Sequence, residues 1–295
     1  MPPRVVVVGD LLYDLLARVE RSVAFGTDTF TKIPAAPGGS GANVAAWLAS
    51  LGVETHLVGR VGDDVIGEAL AGELKRSGIT PHLARDTSLP TGKVFVLVDG
   101  AGERTMITDR GAGEALGPED LPERLFRGGH LHLSGYMFSG GSRRETALRA
   151  LRLAREGGMS ASVDPSSVPL LEAVGPDRFL EWTEGVDLCF PNLEEGVLLT
   201  GLEDPERIAE ELLSHYSGVV LKLGAAGALF ADADGERVRL PAAPARVVDT
   251  TGAGDALCAG FLAGRLSGEP AAGALRRGVE LAARVVGRVG GRPEL

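Results

Sequence analysis

An α/β fold, with a mostly parallel sheet covered by helices on both faces and a small second β-sheet beside it, is what this sequence predicts. Three observations carry that expectation. Short β-branched runs alternate with stretches of helical spacing along most of the chain, the pattern of parallel strands connected through helices. The early helical stretches close on glycine, at Gly52 and Gly78. Two segments, 11–36 and 92–108, break the rhythm with mixed polar and apolar alternation and no helical face.

Residues 4–8 read as a buried strand, because Val5-Val6-Val7-Val8 is short, β-branched and ended by Gly9-Asp10. Residues 41–51 place Val44, Trp47, Leu48 and Leu51 on one helical face. A strand is predicted at 55–58 and a helix over 64–77, with Ile66, Leu70 and Leu74 on its apolar side. The irregular 92–108 stretch holds two alternating runs, 93–98 and 103–108, joined by Asp99-Gly100-Ala101-Gly102, a hairpin signal. Alternation then resumes. Strands are expected at 131–133, 161–163, 187–190 and 219–223, and helices over 143–156 and 193–200. Asp234-Gly235 turns a second hairpin between 228–231 and 237–240. The chain divides accordingly into a core of residues 1–10, 37–90 and 111–295 and a small sheet of 11–36 and 91–110.

The 295 residues carry 30 Lys plus Arg against 40 Asp plus Glu, a net charge of -10, which argues against a general nucleic-acid binder. A chain of this length buries a sizeable core without disulfides or metal staples. Cys189 and Cys258 both lie in apolar runs and read as buried thiols in a reducing compartment. No apolar run reaches the length of a membrane span, so a soluble, cytoplasmic protein is expected.

The most informative stretch is Asp249-Thr250-Thr251-Gly252-Ala253-Gly254-Asp255, followed by the small, apolar helix beginning at Ala256. Glycines permit a tight turn, and the helix behind it aims unpaired N–H groups into that turn, which attracts anions. Asp255 stands at the mouth of the same helix. A carboxylate beside an anion hole made by residues 252–255 is equipment for taking a proton from a hydroxyl while a phosphoryl group moves to it. The competing reading is a helix start with Asp as its cap. A dinucleotide fingerprint fails, because Leu257 occupies the third glycine position.

Four weaker signals accompany it. Gly38-Gly39-Ser40-Gly41-Ala42-Asn43 opens a helix and either approaches a polyol, with the Asn43 amide on its hydroxyls, or is a glycine-rich turn. Asn192 and Glu195 follow a strand. They form a helix cap, hold water around Mg²⁺, or do both. Lys222, Gly224 and Gly227 offer a second wall for a nucleotide. His130 and His132 share one side of a strand and read as core histidines. A Walker A loop and a serine nucleophile elbow are both missing from the sequence.

In this order, Gly9, Asp14, Gly38-Gly39 with Asn43, 59–63, Thr91-Gly92, Gly102-Glu103-Arg104-Thr105, Asn192 with Glu195, 222–224 and 249–255 resemble the ribokinase-like, PfkB-type carbohydrate kinases over nearly the whole chain. The resemblance implies a doubly wound core, a β-sheet lid made by the two irregular segments, ATP as donor and Mg²⁺ as metal. It implies Asp255 as catalytic base with Gly252, Ala253 and Gly254 in the anion hole. Asp14, Gly38, Gly39 and Asn43 then bind the acceptor, and Asn192, Lys222, Gly224, Gly227 and Thr251 bind the nucleotide. Glu195 holds Mg²⁺ through water, and Asp249 with Thr251 marks the position of a monovalent cation, K⁺. Arg110 matches an arginine of relatives that act on acidic sugars, although a surface salt bridge is an equal reading. Asp164-Pro165-Ser166-Ser167 departs from the pattern, since relatives often carry Asn and Arg after Asp-Pro. The acceptor is left open among ribose, fructose, 2-keto-3-deoxygluconate and a nucleoside. A homodimer through the lid would cover its exposed strand edges and is a further expectation, and a non-catalytic nucleotide or sugar sensor is the rival from another class.

Overall fold

Val5, Val6, Val7 and Val8 are fully buried, as a short β-branched run at the centre of a two-faced sheet must be. They form β1 (Arg4–Val8). Alternate side chains leave opposite faces of a strand. Val5 and Val7 accordingly join one apolar core, and Val6 and Val8 join another. Each fully buried valine contributes roughly 1.5–3 kcal/mol relative to exposure.

The structure, a computed structural model, describes residues 3–19, 23–24, 26–100 and 104–293. Along the chain the strands are β1, β2 (Leu12–Arg18), β3 (Ala35–Gly38), β4 (Glu54–Gly62), β5 (Thr80–Asp86), β6 (Thr91–Val98) and β7 (Arg104–Gly111). They continue with β8 (His130–Ser134), β9 (Ser160–Asp164), β10 (Leu188–Cys189), β11 (Gly218–Lys222), β12 (Ala228–Asp232) and β13 (Arg237–Leu240). The larger sheet runs β13-β12-β11-β10-β9-β8-β1-β4-β5. From β5 to β11 every pairing is parallel, and β12 and β13 finish it as an antiparallel hairpin.

Helices cover both faces. α1 (Ser40–Ser50), α2 (Val65–Arg76), α8 (Ala253–Leu266) and α9 (Ala271–Val286) pack on the Val5/Val7 side. α3 (Gly141–Glu156), α4 (Val168–Val174), α5 (Pro176–Trp182), α6 (Leu193–Thr200) and α7 (Pro205–Leu212) pack on the other. The chain winds outward from β1 to β5 in one direction and from β8 to β11 in the other. The switch point therefore lies between β1 and β8, where open α/β sheets form their ligand crevice at the carboxyl ends of the strands.

The smaller sheet, in order β3-β2-β6-β7, stands over that crevice. Leu12, Val94 and Val96 form its own apolar cluster. Pairing carries β3 to Gly38 and β7 to Gly111, slightly beyond the expected limits of the irregular segments. Gly102 and Glu103 lie outside the described residues. The strand expected at 55–58 runs on to Gly62, because Gly59, Arg60, Val61 and Gly62 stay paired with β5 despite two residues poor in strand propensity. His130 and His132 sit buried in β8, bonded to the hydroxyls of Ser160 and Ser162, and burial pushes both imidazoles down to about 3. Being neutral at ordinary pH, they belong to the core.

Candidate active site

The ends of five parallel strands meet the roof of the small sheet around a cavity of about 490 Å³. Asp10 follows β1, Tyr136 follows β8, Asp164 ends β9, Asn192 follows β10 and Lys222 ends β11, and all five line it. The roof contributes Leu12 and Asp14 from β2, Val94 and Val96 from β6, and Arg104, Met106, Thr108 and Arg110 from β7. Every second residue of each roof strand therefore points down, as the two-residue period of a strand requires. Ile107, between two of these, faces out and is 65% exposed.

Asp255 occupies the third position of α8 and caps nothing. Its Oδ1 accepts from Ser40 Oγ at 2.8 Å and its Oδ2 from Asn43 Nδ2 at 2.9 Å, both on the first turn of α1. The helix-cap reading of this aspartate is thus not what the fold adopts. Burial, helped by Asp164, pushes its carboxyl up to about 6, against the opposing bonds from Asn43 and Ser40 and the charge of Lys222. A carboxylate tuned towards neutrality is suited to accept a proton.

Gly252 makes the turn before α8 with φ 75°, and a Cβ there would stand 2.5 Å from Gly291 Cα. Only glycine satisfies both conditions. Ala253 N–H bonds Thr250 O at 3.3 Å, and the first bond along α8 runs from Ala256 N to Gly252 O. The N–H groups of Gly254 and Asp255 precede it and face the cavity end, as an anion site requires. Gly39 is the matching device on α1. Its φ is 95°, and a Cβ would meet Asp10 O at 2.4 Å.

Under the roof, Asp14 lies against Gly38, where any Cβ would collide with its carboxylate. Asp14 Oδ1 is buried and meets no hydrogen-bond donor among the described residues. Burial pushes the group up to about 6; Arg292 opposes this, and Asp249 and Asp255 add to it. A buried acceptor atom without a donor is the mark of a place reserved for one. Arg110 faces the cavity rather than solvent. It pairs with Asp10 and stacks over the Tyr136 ring at 4.4 Å, while the wholly buried Arg143 takes the other oxygen of Asp10.

On the far side, Asn192 and Glu195 form a reciprocal cap for α6. Asn192 Oδ1 accepts from Glu195 N, and both Glu195 oxygens accept from Asn192 groups, all at 2.8 Å. Burial raises the Glu195 carboxyl, against the charge of Lys222. Lys222 Nζ donates to Asp164 Oδ2 at 2.6 Å. Burial alone would lower this ammonium, but Asp164 and Glu195 outweigh it and hold it above its usual range. Behind Lys222 opens a second, apolar cavity of about 390 Å³, lined by Gly224, Gly227, Ala243, Ala253, Leu257 and Val279 among others.

Asp249 lies beneath the turn. Its Oδ1 accepts from Thr251 N and Oγ1 and from Arg104, and its Oδ2 from Gly290 N at 3.0 Å. Burial would raise it, but those bonds prevail and hold it below the ordinary carboxylate range. Arg104 also donates to the hydroxyls of Thr250 and Thr251, fastening the roof to the turn.

Most residues expected at a site therefore share one cavity: Asp14, Gly39, Asn43, Arg110, Asn192, Glu195, Lys222, Gly224, Thr251, Gly252, Gly254 and Asp255. Gly227 and Ala253 line the second cavity, Gly38 lies behind Asp14, and Asp249 supports the turn. Sequence reasoning passed over Asp10, Ser40, Tyr136, Ser166 and Arg292. Asp10 was visible only as a strand end. Ser166, in the departing 164–167 stretch, lines the cavity with φ 76°, a costly backbone for a non-glycine residue. Nothing local to Arg292 marks it.

The pfkB family carbohydrate kinase profile matches residues 2–295. An ATP-dependent ribose-1-phosphate kinase of Halopiger xanaduensis is 33% identical over 98% of this chain and 94% of its own length. A 2-dehydro-3-deoxygluconokinase of Bacillus subtilis is 31% identical over 81% of this chain and 77% of its own. The crystal structure of an adenosine kinase from Sinorhizobium meliloti superposes with a TM-score of 0.91 at 28% identity, covering 100% of this chain and 97% of that one. Matched from end to end, and carrying a carboxylate beside a helix N-terminus in a crevice, the chain belongs to the pfkB family of carbohydrate kinases and is a phosphotransferase that moves phosphate from ATP to a sugar.

Proposed function

We propose that the acceptor is a small free sugar with a primary hydroxyl, of ribose, fructose or 2-keto-3-deoxygluconate type, and that Asp255 is the general base. The observation that carries this is the Asp255 carboxylate, held by Ser40 and Asn43 at the N-terminus of α8 and facing the main cavity. Asp255 takes the hydroxyl proton as that oxygen bonds to the γ-phosphorus, and the bond from phosphorus to the ADP oxygen breaks. The N–H groups at 252–255 receive the charge that builds on the phosphoryl oxygens. The unmet oxygen of Asp14, with Gly39 and Asn43, orients the acceptor. Arg110 at the cavity wall favours an acidic keto-sugar among the candidates.

The apolar cavity behind Gly224 and Gly227 suits an adenine ring, with Lys222 and Thr251 between it and Asp255. Among the described residues no group of three His, Cys, Asp or Glu side chains can close on a metal. Glu195 and Asn192 nevertheless offer oxygen donors at the cavity, which fits Mg²⁺ held through its own waters. Held there, Mg²⁺ would supply positive charge against the phosphate oxygens. K⁺ at Asp249 and Thr251 is a further proposal, and it would rest on main-chain carbonyls because the Asp249 side chain already accepts four bonds. Turnover in K⁺ against Na⁺ tests it.

The small sheet acts as a lid that excludes water from the reaction. Exposed Ile107 on its outer face fits a homodimer through that sheet. No helix among the described residues is long and apolar enough to cross a membrane, and both cysteines are free and buried, which suits a cytoplasmic enzyme. The deciding experiment incubates ATP and Mg²⁺ with a panel of sugars, sugar acids and nucleosides and measures ADP. Sugar-dependent ADP release is expected. Release only with nucleosides, or none above background, overturns the reading.

A further inference from the structure

We infer that Arg292 is a positioning residue for phosphoryl transfer: its guanidinium fixes the amide of Asn43 so that Nδ2 faces the base. This rests on the role given to Asp255 above. Arg292 follows α9 in the chain and is 8% exposed. Its Nε donates to Asn43 Oδ1 at 3.2 Å, its Nη2 to Gly38 O at 2.6 Å, and its Nη1 pairs with Glu73 of α2. Asn43 in turn donates to Asp255 Oδ2 at 2.9 Å.

A guanidinium only donates and a carboxylate only accepts, so an amide between them has one satisfactory orientation. Reversed, it would set donor against donor at Arg292 and acceptor against acceptor at Asp255. The same stretch is pinned on both sides. Trp47 Nε1 of α1 donates to Gly291 O at 2.8 Å, and Gly290 N donates to Asp249 Oδ2 at 3.0 Å. One fork thus ties together Asn43, which holds the base, and Gly38, against which Asp14 rests. A stabilising ion pair with Glu73 would need neither contact.

The charged and titratable groups facing Asp255 are Asp14 on β2, Asp164 on β9, Lys222 on β11, Tyr136 after β8, Cys258 on α8 itself, and Arg292. Removing the Arg292 cation takes positive charge from both Asp14 and Asp255 and releases the Asn43 donor. The lost positive charge near Asp255 and the loosened Asn43 donor both favour the protonated base, so the acid limb of kcat moves to higher pH.

The test compares wild type, Arg292→Lys and the double variant Glu73→Gln/Arg292→Gln, in which residue 73 is not left as a carboxylate without its cation. In the double variant kcat is expected to fall roughly 10–100-fold, with KM for ATP within about twofold and the acid limb raised by about 0.5–1 pH unit. Arg292→Lys keeps the ion pair, and hence the fold, but cannot reach Asn43 and Gly38 together. It should lower kcat with little change in the acid limb, and it decides the matter if the double variant does not fold. Wild-type kcat and pH profile in a folded double variant, or wild-type kcat in Arg292→Lys, overturns the inference. The Asn43 side-chain amide resonance, assigned by its loss in Asn43→Asp, reads orientation without turnover. It should shift in Arg292→Lys, and an unmoved resonance also overturns the proposal. Wild type lacking turnover, or an active Asp255→Asn, fails the base assignment instead, and the resonance still reports on Arg292.

Discussion

Asp255 and Asp14 face one cavity and are each pushed up to about 6 by burial, and the proposal gives the first the role of base and the second that of acceptor contact. Asp255→Asn keeps the shape and removes the base, so kcat should fall about 10²–10⁴-fold with little change in KM for either substrate; near-normal turnover on a verified sugar would discard the assignment. In wild type, kcat should rise with pH through about 6 as the base ionises. A flat profile from pH 5 to 8 would contradict it. Stability moves the opposite way. A carboxyl whose folded value lies near 6 against its ordinary 3.8 contributes stability below about 3.8 and loses it as pH rises through about 6. Asp14→Asn should therefore raise the melting temperature at pH 8, by an effect of roughly 1–3 kcal/mol, and not at pH 4. It should also raise KM for the sugar. Asp255 and its turn were legible in the sequence, since a glycine turn into a helix states its chemistry within seven residues. Ser40 was not, because a serine gains meaning only from what stands opposite it.

Elements place these groups through their ends. α6 begins at Asn192, whose side chain and backbone exchange bonds with Glu195 and hold that carboxylate at the cavity wall. The spacing of Asn192 and Glu195 allows a cap, a ligand to metal-bound water or both, and the cap is what the structure contains. Asn192→Ala should cost about 0.5–2 kcal/mol of stability. It should also raise the Mg²⁺ concentration needed for half-maximal rate, because Glu195 loses the bonds that aim it. Denaturant melts and a Mg²⁺ titration read the two effects separately; an unchanged Mg²⁺ requirement would leave Glu195 as a cap alone. Strand period was legible from spacing. That the even-numbered residues of β7 face the cavity was not, since two faces of an isolated strand are equivalent until one finds a core.

Across the molecule, Arg104 joins the roof to the turn before α8, bonding Asp249, Thr250 and Thr251. A charge-assisted bond contributes about 1.5–3 kcal/mol. Arg104→Ala should accordingly lower kcat/KM roughly 10–100-fold. If the roof shuts out water, it should also increase ADP release in the absence of sugar. Unaltered kcat/KM would mean that the roof closes without this contact. The same distribution explains the second cavity, where small residues from several separate stretches leave an apolar space beside Lys222.

Periodicity and glycine turns were enough for the α/β class, the irregular small sheet and the carboxylate at a helix start at 255, because each is a local consequence of backbone sterics and side-chain spacing. Convergence belonged to the tertiary structure. Asp10 and Arg143, Asp164 and Lys222, and Asn43 and Arg292 lie far apart in sequence and meet only once the sheet and its helices have assembled. Burial, which decides the proton affinity of Asp14 and Asp255, exists only once those strands and helices have packed.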